Sequence, residues 1–404
     1  MKKKVRDKSC DHQDLPEKMV IGNYQTQKII GKGSFGVIYQ ATLFGNDIEN
    51  NFALKLEKNP KGTFSSQIQK EVCILKECKG LKGFATLYNY GIYNTSSYMV
   101  ISLLGNNLNK TLHKSDGRFD QETTLRVAFQ MIDRIAAFHQ KGFVHRDIKP
   151  ENFVLGINED SKILYLIDFG LSKKYIENNK HIPMLSKKGF VGTARYASPN
   201  AHKGYEQGRR DDLIAIGYLI MYFLKGRLPW QGLVVNANDK KYDVIKKMKE
   251  ALEYEIFFKD YDPVFLTYMQ YVNNLFFDED PDYDYIKDLF QKAFLKISIE
   301  NKIKKKMPEP SMEETKQLKT EEDKEDSDLD NQILNHINEE IDNAEKNKIG
   351  GKFYSFKAYP SRTSTLRPNY DYSSCEIVEE EILQINKTYD FFHLKENLAS
   401  KGSS

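Results

Sequence analysis

The run His145-Arg146-Asp147-Ile148-Lys149-Pro150-Glu151-Asn152 constrains this chain more than any other stretch of its 404 residues. It gathers a carboxylate, an ammonium group and a carboxamide into one short loop, with Phe143-Val144 immediately before it. Upstream, Leu125, Phe129, Ile132, Ile135 and Ala136 recur at helical spacing, which predicts an amphipathic helix over residues 121–140 that delivers the chain to this loop. Chance is a poor explanation for a run of that length and order.

From Tyr24 to Leu56, short runs rich in Ile, Val, Tyr and Phe are broken by glycines, a pattern that predicts antiparallel strands. The break is Gly31-Lys32-Gly33-Ser34-Phe35-Gly36-Val37. Its glycines let a backbone approach phosphates closely, and Val37 just beyond is expected to pack on a purine. A Gly-x-Gly-x-x-Gly alone also fits a dinucleotide-binding turn or a plain hairpin. A dinucleotide site needs a helix directly after the glycines, whereas Val37-Ile38-Tyr39-Gln40-Ala41 and Phe52-Ala53-Leu54-Lys55-Leu56 read as strands. Lys55 is the expected partner of the α- and β-phosphates.

Residues 66–79 carry Ile68, Val72 and Leu75 at near-helical spacing, with Glu71 on the same helix. Cys73 and Cys78 read as packing residues. Tyr98-Met99-Val100-Ile101 reads as the last strand of a small lobe, running into Ser102-Leu103-Leu104-Gly105 as a hinge whose backbone would bind adenine. Ile101 would guard the back of that pocket. Further on, the apolar strand Ile163-Leu164-Tyr165-Leu166-Ile167 ends in Asp168-Phe169-Gly170. A carboxylate at that strand end is well placed to hold Mg²⁺ with phosphate oxygens and water.

In this order the motifs resemble those of protein kinases, and the resemblance implies roles for the opening loop. Asp147 would take the proton of a substrate hydroxyl, Lys149 would neutralise the transferring phosphoryl group, and Asn152 would join Asp168 in holding the metal. Glu71 would pair with Lys55 and fix its position. The implied fold is α+β and bilobal, with a small antiparallel β-rich N-lobe over about 22–104 and a large, mainly α-helical C-lobe over about 105–298. ATP and Mg²⁺ are the implied cofactors, and Ile30, Gly31, Gly33, Ser34, Gly36, Val37, Ala53, Lys55, Glu71, Ile101, Ser102, Leu103, Leu104 and Asp168 the implied nucleotide site.

Where protein kinases generally have Ala-Pro-Glu, this chain has Ser198-Pro199-Asn200, preceded by Gly192-Thr193-Ala194-Arg195-Tyr196-Ala197. That segment resembles the casein kinase 1 family. So do Glu206-Gln207, Arg209-Arg210-Asp211-Asp212-Leu213, Leu228-Pro229-Trp230-Gln231-Gly232-Leu233, Pro281-Asp282-Tyr283 and Phe153 after the loop. The resemblance covers roughly residues 22–298 and implies a serine/threonine kinase that favours acidic or already phosphorylated protein substrates. In such kinases a basic pocket reads the upstream phosphate, and Arg195, Lys241 and the backbone of Gly232 match it, with Lys188 as a neighbouring candidate. The stretch Ala237-Asn238-Asp239-Lys240 departs from the family in carrying an acid where more bases are usual, and Ile101 and Ser102 stand where Met and Glu are usual.

The net charge of +3 conceals an asymmetry: residues 309–330 hold ten acids against three bases and residues 331–404 eleven against nine, which leaves residues 1–308 strongly basic. A basic catalytic part beside an acidic segment makes residues 299–404 a candidate regulatory tail that restrains the enzyme, a role the resemblance also suggests. Residues 309–330 read as an acidic low-complexity linker, and Ile333, Ile337, Ile341 and Ala344 form one apolar stripe, with Val378, Ile382 and Ile385 a second. Residues 1–21 read as a charged arm.

The cysteines Cys10, Cys73, Cys78 and Cys375 lack the spacing of a zinc or disulfide framework, so a reducing intracellular location, cytoplasmic or nuclear, is expected. The start shows no secretory or myristoylation pattern, and the longest apolar run, Leu213 to Leu224, is a buried helix too short for a bilayer. A catalytically weak scaffold would be favoured by loss of Lys55, Asp147 or Asp168, all present. A nucleic-acid-binding module would explain the basic charge, but no aromatic-basic motif accompanies it.

Overall fold

A computed structural model describes residues 18–33, 36–45, 51–58, 66–233 and 241–306. Ser34, most of the N-terminal arm, residues 237–240, Cys10, Cys375, and the acidic segment with both apolar stripes lie outside the described residues.

The N-terminal part is one antiparallel sheet of six strands: β1 (Val20–Ile21), β2 (Tyr24–Lys32), β3 (Val37–Leu43), β4 (Phe52–Lys58), β5 (Leu87–Tyr93) and β6 (Ser96–Ser102), in the order β1-β2-β3-β4-β6-β5. It begins slightly earlier than the expected residue 22, because β1 pairs with β2 and Thr26 receives the Met19 amide at 2.7 Å. Directly opposed residues of an antiparallel ladder share a face. Ile38 opposes Lys55, which opposes Met99, and Gln40 opposes Ala53, which opposes Ile101. The other face carries Val37, Tyr39, Leu54, Leu56, Tyr98 and Val100, all packed in a small core of their own. Val37 is therefore turned away from the Lys55 face, and Ile38 takes the position expected of it.

Helix α1 (Ser66–Glu77) buries Ile68, Val72 and Leu75 in the large core, which also takes up Met99 from the Lys55 face of the sheet. Cys78 is buried, but Cys73 is exposed rather than packed, since helical rotation carries it off the stripe of Ile68, Val72 and Leu75.

The larger part is helical. After α2 (Leu108–Lys114) comes α3 (Gln121–Gln140), which spans the residues expected of it and starts at Asp120, whose carboxylate accepts the Thr123 amide at 2.6 Å. Such a cap contributes about 1 kcal/mol. Leu125, Ile132, Ile135 and Ala136 are buried, as the amphipathic pattern requires. Short strands β7 (Phe143–Val144), β8 (Phe153–Leu155) and β9 (Leu164–Leu166) frame the opening loop, and β10 (Lys173–Lys174) pairs with β7. Beyond α4 (Pro199–His202), α5 (Arg209–Lys225) is buried from Leu213 to Leu224. Around it lie α6 (Lys241–Glu250), α7 (Tyr254–Phe258), α8 (Pro263–Asn274) and α9 (Tyr283–Lys306). The last helix buries Ile286, Phe290 and Ile297 in the main core and continues to Lys306, past the boundary at 298 expected from composition. None of the described helices is long and apolar enough to cross a membrane.

Candidate active site

The opening loop leaves β7 and turns back into β8, which brings its functional groups together. Asp147, 6% exposed, has both carboxylate oxygens engaged. Lys149 Nζ donates to Oδ2 at 2.5 Å, and Thr193 Oγ1 donates to Oδ1 at 2.7 Å. Asn152 Nδ2 donates to the Asp147 carbonyl at 2.8 Å. A carboxylate fixed this way is an oriented proton acceptor. The sequence indicated Asp147, Lys149 and Asn152 but gave no sign that Thr193, 46 residues on, would orient the carboxylate.

Beneath the loop sits Asp212, 2% exposed, at the start of α5. Its Oδ2 accepts the His145 amide at 2.7 Å and His139 Nε2 at 2.9 Å, while Oδ1 accepts the Arg146 amide at 2.8 Å. Burial opposes its charge, but these donors hold its pKa below the ordinary value, so it is an anion. Burial also lowers the pKa of His139, against the opposing pull of Asp212, and leaves its ring neutral. With its Nε2–H donated to the Asp212 carboxylate, its Nδ1 accepts from the Tyr283 hydroxyl at 2.5 Å. One buried chain of hydrogen bonds thus runs from α9 through α3 to the main chain of the catalytic loop.

Lys55 and Glu71, the pair that the kinase resemblance implies, meet at 2.5 Å. Burial pulls Glu71 up to about 7, with Lys55 opposing and Asp168 adding to the rise. For Lys55, burial works against the charge, but Glu71, Asp168 and Glu57 together outweigh it and raise its pKa, so the ammonium form persists. Asp168 is exposed, with φ 65°, just before Phe169, which is buried and stacked on Phe84 and Phe138 at 6.1 and 5.2 Å between ring centres. The Ile167 amide donates to the Asn152 carbonyl at 3.0 Å, so the segment leading from β9 to Asp168 is tied to the residue expected to share its metal. Asn152 commits its NH₂ to Asp147 and keeps its amide oxygen. With the Asp168 carboxylate it would supply the hard oxygen donors that Mg²⁺ prefers, completed by phosphate oxygens and water.

The glycine loop closes through a Gly33 amide to Gly36 carbonyl bond of 2.9 Å. Its glycines differ in what they permit: a Cβ on Gly36 would come within 2.2 Å of the Leu56 carbonyl, whereas one on Gly33 would meet nothing within 4 Å among the described residues. Ile30 and Gly31 lie among the last three residues of β2, just before this turn. In the hinge, Ser102 pairs with Thr86 through both its amide and its hydroxyl, Leu103 and Leu104 are half-buried, and the Gly105 amide bonds the Leu155 carbonyl at 2.8 Å. The hinge is thereby anchored to β8, three residues from Asn152.

The four residues expected to form a phosphate pocket divide. Arg195 is exposed, two residues beyond Thr193, and its carbonyl accepts Trp230 Nε1 at 2.7 Å. Trp230 stands two residues before Gly232, and Lys241 opens α6, the helix whose Lys249 bonds the carbonyls on either side of Arg195. Lys188 belongs elsewhere: with Arg146 and Lys173 it surrounds the buried carboxylate of Glu206, at 3.6, 3.9 and 3.0 Å respectively.

A β-rich lobe and a helical lobe joined by a hinge, with a lysine-glutamate pair above and an oriented aspartate below, define a phosphotransferase of the kinase class. A family model for the protein kinase domain matches residues 24–262, and the chain belongs to that family. Membership implies protein substrates, ATP and a divalent metal ion, typically Mg²⁺.

Proposed function

We propose that the protein is a serine/threonine kinase of casein kinase 1 type, which transfers the γ-phosphate of ATP to acidic or already phosphorylated proteins. The observation that carries this reading is the segment Thr193–Arg195: one end bonds the Asp147 carboxylate and the other presents an exposed guanidinium. A phosphate held by Arg195, with Lys241 and the Gly232 backbone beside it, would lie a few substrate residues from a hydroxyl at Asp147. Charge-assisted hydrogen bonds of this kind contribute about 1.5–3 kcal/mol each.

In this reading Asp147 orients the attacking hydroxyl and accepts its proton, Lys149 offsets charge on the transferring group, and Lys55, kept in place by Glu71, positions the phosphates. Asn152 and Asp168 would hold Mg²⁺, which when bound neutralises phosphate charge. Ile30, Ile38, Ala53 and Ile101 would enclose the purine, and the backbone of Ser102, Leu103 and Leu104 would read its edge. The chemistry is mainly positioning and electrostatics.

A peptide array comparing phosphorylated, acidic and unmodified residues upstream of Ser, Thr or Tyr tests the proposal. Phosphorylated and acidic Ser and Thr peptides should lead; equal use of all peptides, or a preference for Tyr, would count against it. The acidic run at 309–330 beside a basic remainder supports restraint by the tail. Removing residues 307–404 should then raise peptide phosphorylation, and unchanged or lower activity would argue otherwise.

A further inference from the structure

Lys249 differs from the other lysines of α6. Lys241 and Lys247 are exposed, whereas Lys249 is 2% exposed, and among the described residues it forms no ion pair with a carboxylate. A lysine in that condition is unfavourable unless its N–H groups are otherwise satisfied. Here they are. Nζ donates to the Ala197 carbonyl at 2.5 Å and to the Ala194 carbonyl at 2.9 Å, His202 Nε2 stands 3.3 Å away, and the ring centres of Tyr218 and Trp230 lie at 4.9 and 5.0 Å. Burial draws its pKa down to about 6, while the carbonyl oxygens and ring faces around the nitrogen favour the ammonium form.

The same ring of Trp230 donates its Nε1–H to the Arg195 carbonyl. Three of the four carbonyls from Ala194 to Ala197 are thus held from beneath by two buried side chains. From above, the Tyr196 and Ala197 amides close onto the Thr193 carbonyl at 2.9 and 3.0 Å. The main chain of Arg195 is fixed on both sides, although its side chain is exposed. Fixing the anchor of a long cationic side chain reduces the freedom it loses when it binds an anion. The sequence hides this arrangement, since Lys249 sits among Lys246, Lys247 and Glu250 in what looks like a solvated face.

We propose that Lys249 is a positioning residue for recognition of the substrate phosphate. It holds the Ala194–Ala197 main chain so that Arg195 is presented correctly, and selectivity for phosphorylated over unmodified substrates depends on a side chain that never touches substrate. The inference rests on the reading of Arg195 as a phosphate-binding residue.

The test uses the full chain and two peptides that differ only in a phosphoserine upstream of the target serine. Steady-state kcat and KM are measured for wild type, Lys249→Met, Trp230→Phe and Arg195→Gln, with a thermal melt of each. Lys249→Met keeps the apolar stem and removes the donors. It should raise the KM of the phosphorylated peptide about tenfold relative to that of the unmodified one, the scale of one charge-assisted hydrogen bond, with the change in KM rather than kcat. Trp230→Phe keeps an aromatic ring but loses the bond to Arg195 and some of the packing beside Lys249, while leaving the two Lys249 bonds to the main chain, so it should shift the same ratio less. If Lys249→Met does not fold, Trp230→Phe decides. An unchanged KM ratio in a folded variant, or equal losses for both peptides, overturns the proposal. If Arg195→Gln changes the ratio and neither other variant does, the inference alone fails; if Arg195→Gln leaves it unchanged, the phosphate-binding reading fails and takes the inference with it.

Discussion

Replacing Asp212 by Asn exchanges one acceptor oxygen for an NH₂ group at a point where three N–H donors converge. The consequence depends on which way the amide settles. With nitrogen in place of Oδ2, the bonds from the His145 amide and His139 Nε2 are both lost; with nitrogen in place of Oδ1, only the Arg146 amide loses its acceptor. A hydrogen bond to a charged acceptor contributes about 1.5–3 kcal/mol, so the milder orientation sets a floor of about 1.5 kcal/mol and the harsher one doubles it. A switch of the His139 tautomer restores one bond in the harsher case, but only by turning the Tyr283 hydroxyl from donor to acceptor. Because the pKa of Asp212 lies below the ordinary value, its contribution is fully present across the neutral range and is lost only as pH falls through its folded value. The loss should appear in urea unfolding followed by circular dichroism. Turnover should fall about tenfold or more, since the same bonds fix the loop that bears Asp147. Stability within about 0.5 kcal/mol of wild type, the range of an ordinary surface substitution, with unchanged turnover would refute the reasoning.

Two further perturbations follow from the nucleotide lobe. Glu71, raised to about 7, should impose an acid limb on kcat/KM for ATP, with activity falling as pH drops through that value and the pair with Lys55 loses its anion. A Glu71→Gln variant should be weak at every pH and lack the limb; retention of the limb would assign it to another group. For stability the sign is opposite: with a folded pKa above the ordinary 4.5, this carboxyl favours the folded state at low pH, and that contribution fades between about 4.5 and 7. At the glycine loop, Gly36→Ala must displace the Leu56 carbonyl and should lower stability by about 1–3 kcal/mol, whereas Gly33→Ala meets no neighbour among the described residues and should leave the thermal melt near wild type. Equal melts for the two variants would contradict the packing argument.

Much of this site could be read from the chain because its groups lie in short ordered motifs. Asp147 and Asn152 share one loop, and Lys55 and Glu71 stand on elements with clear periodicity. Val37 and Ile38 show where that legibility ends. Both are aliphatic neighbours in an apolar strand, so only the register that opposes Ile38 to Lys55 tells which one faces the cleft. The end of the domain was obscured for another reason. Lys302 to Lys306 look like the start of a solvated linker, yet α9 continues through them, beyond the turns anchored in the core by Ile286, Phe290 and Ile297. Asp212, Thr193 and Lys249 act on partners 46 to 73 residues away, and no local pattern of acid, hydroxyl or ammonium groups encodes such pairings.

The central claim is that the carboxylate of Asp147 orients a protein hydroxyl for phosphate transfer from ATP. Transfer of labelled γ-phosphate from ATP and Mg²⁺ to a serine-containing protein substrate, compared between wild type and Asp147→Asn, addresses it most directly. The account predicts that Asp147→Asn loses nearly all transfer while still binding nucleotide; full turnover in that variant would contradict it.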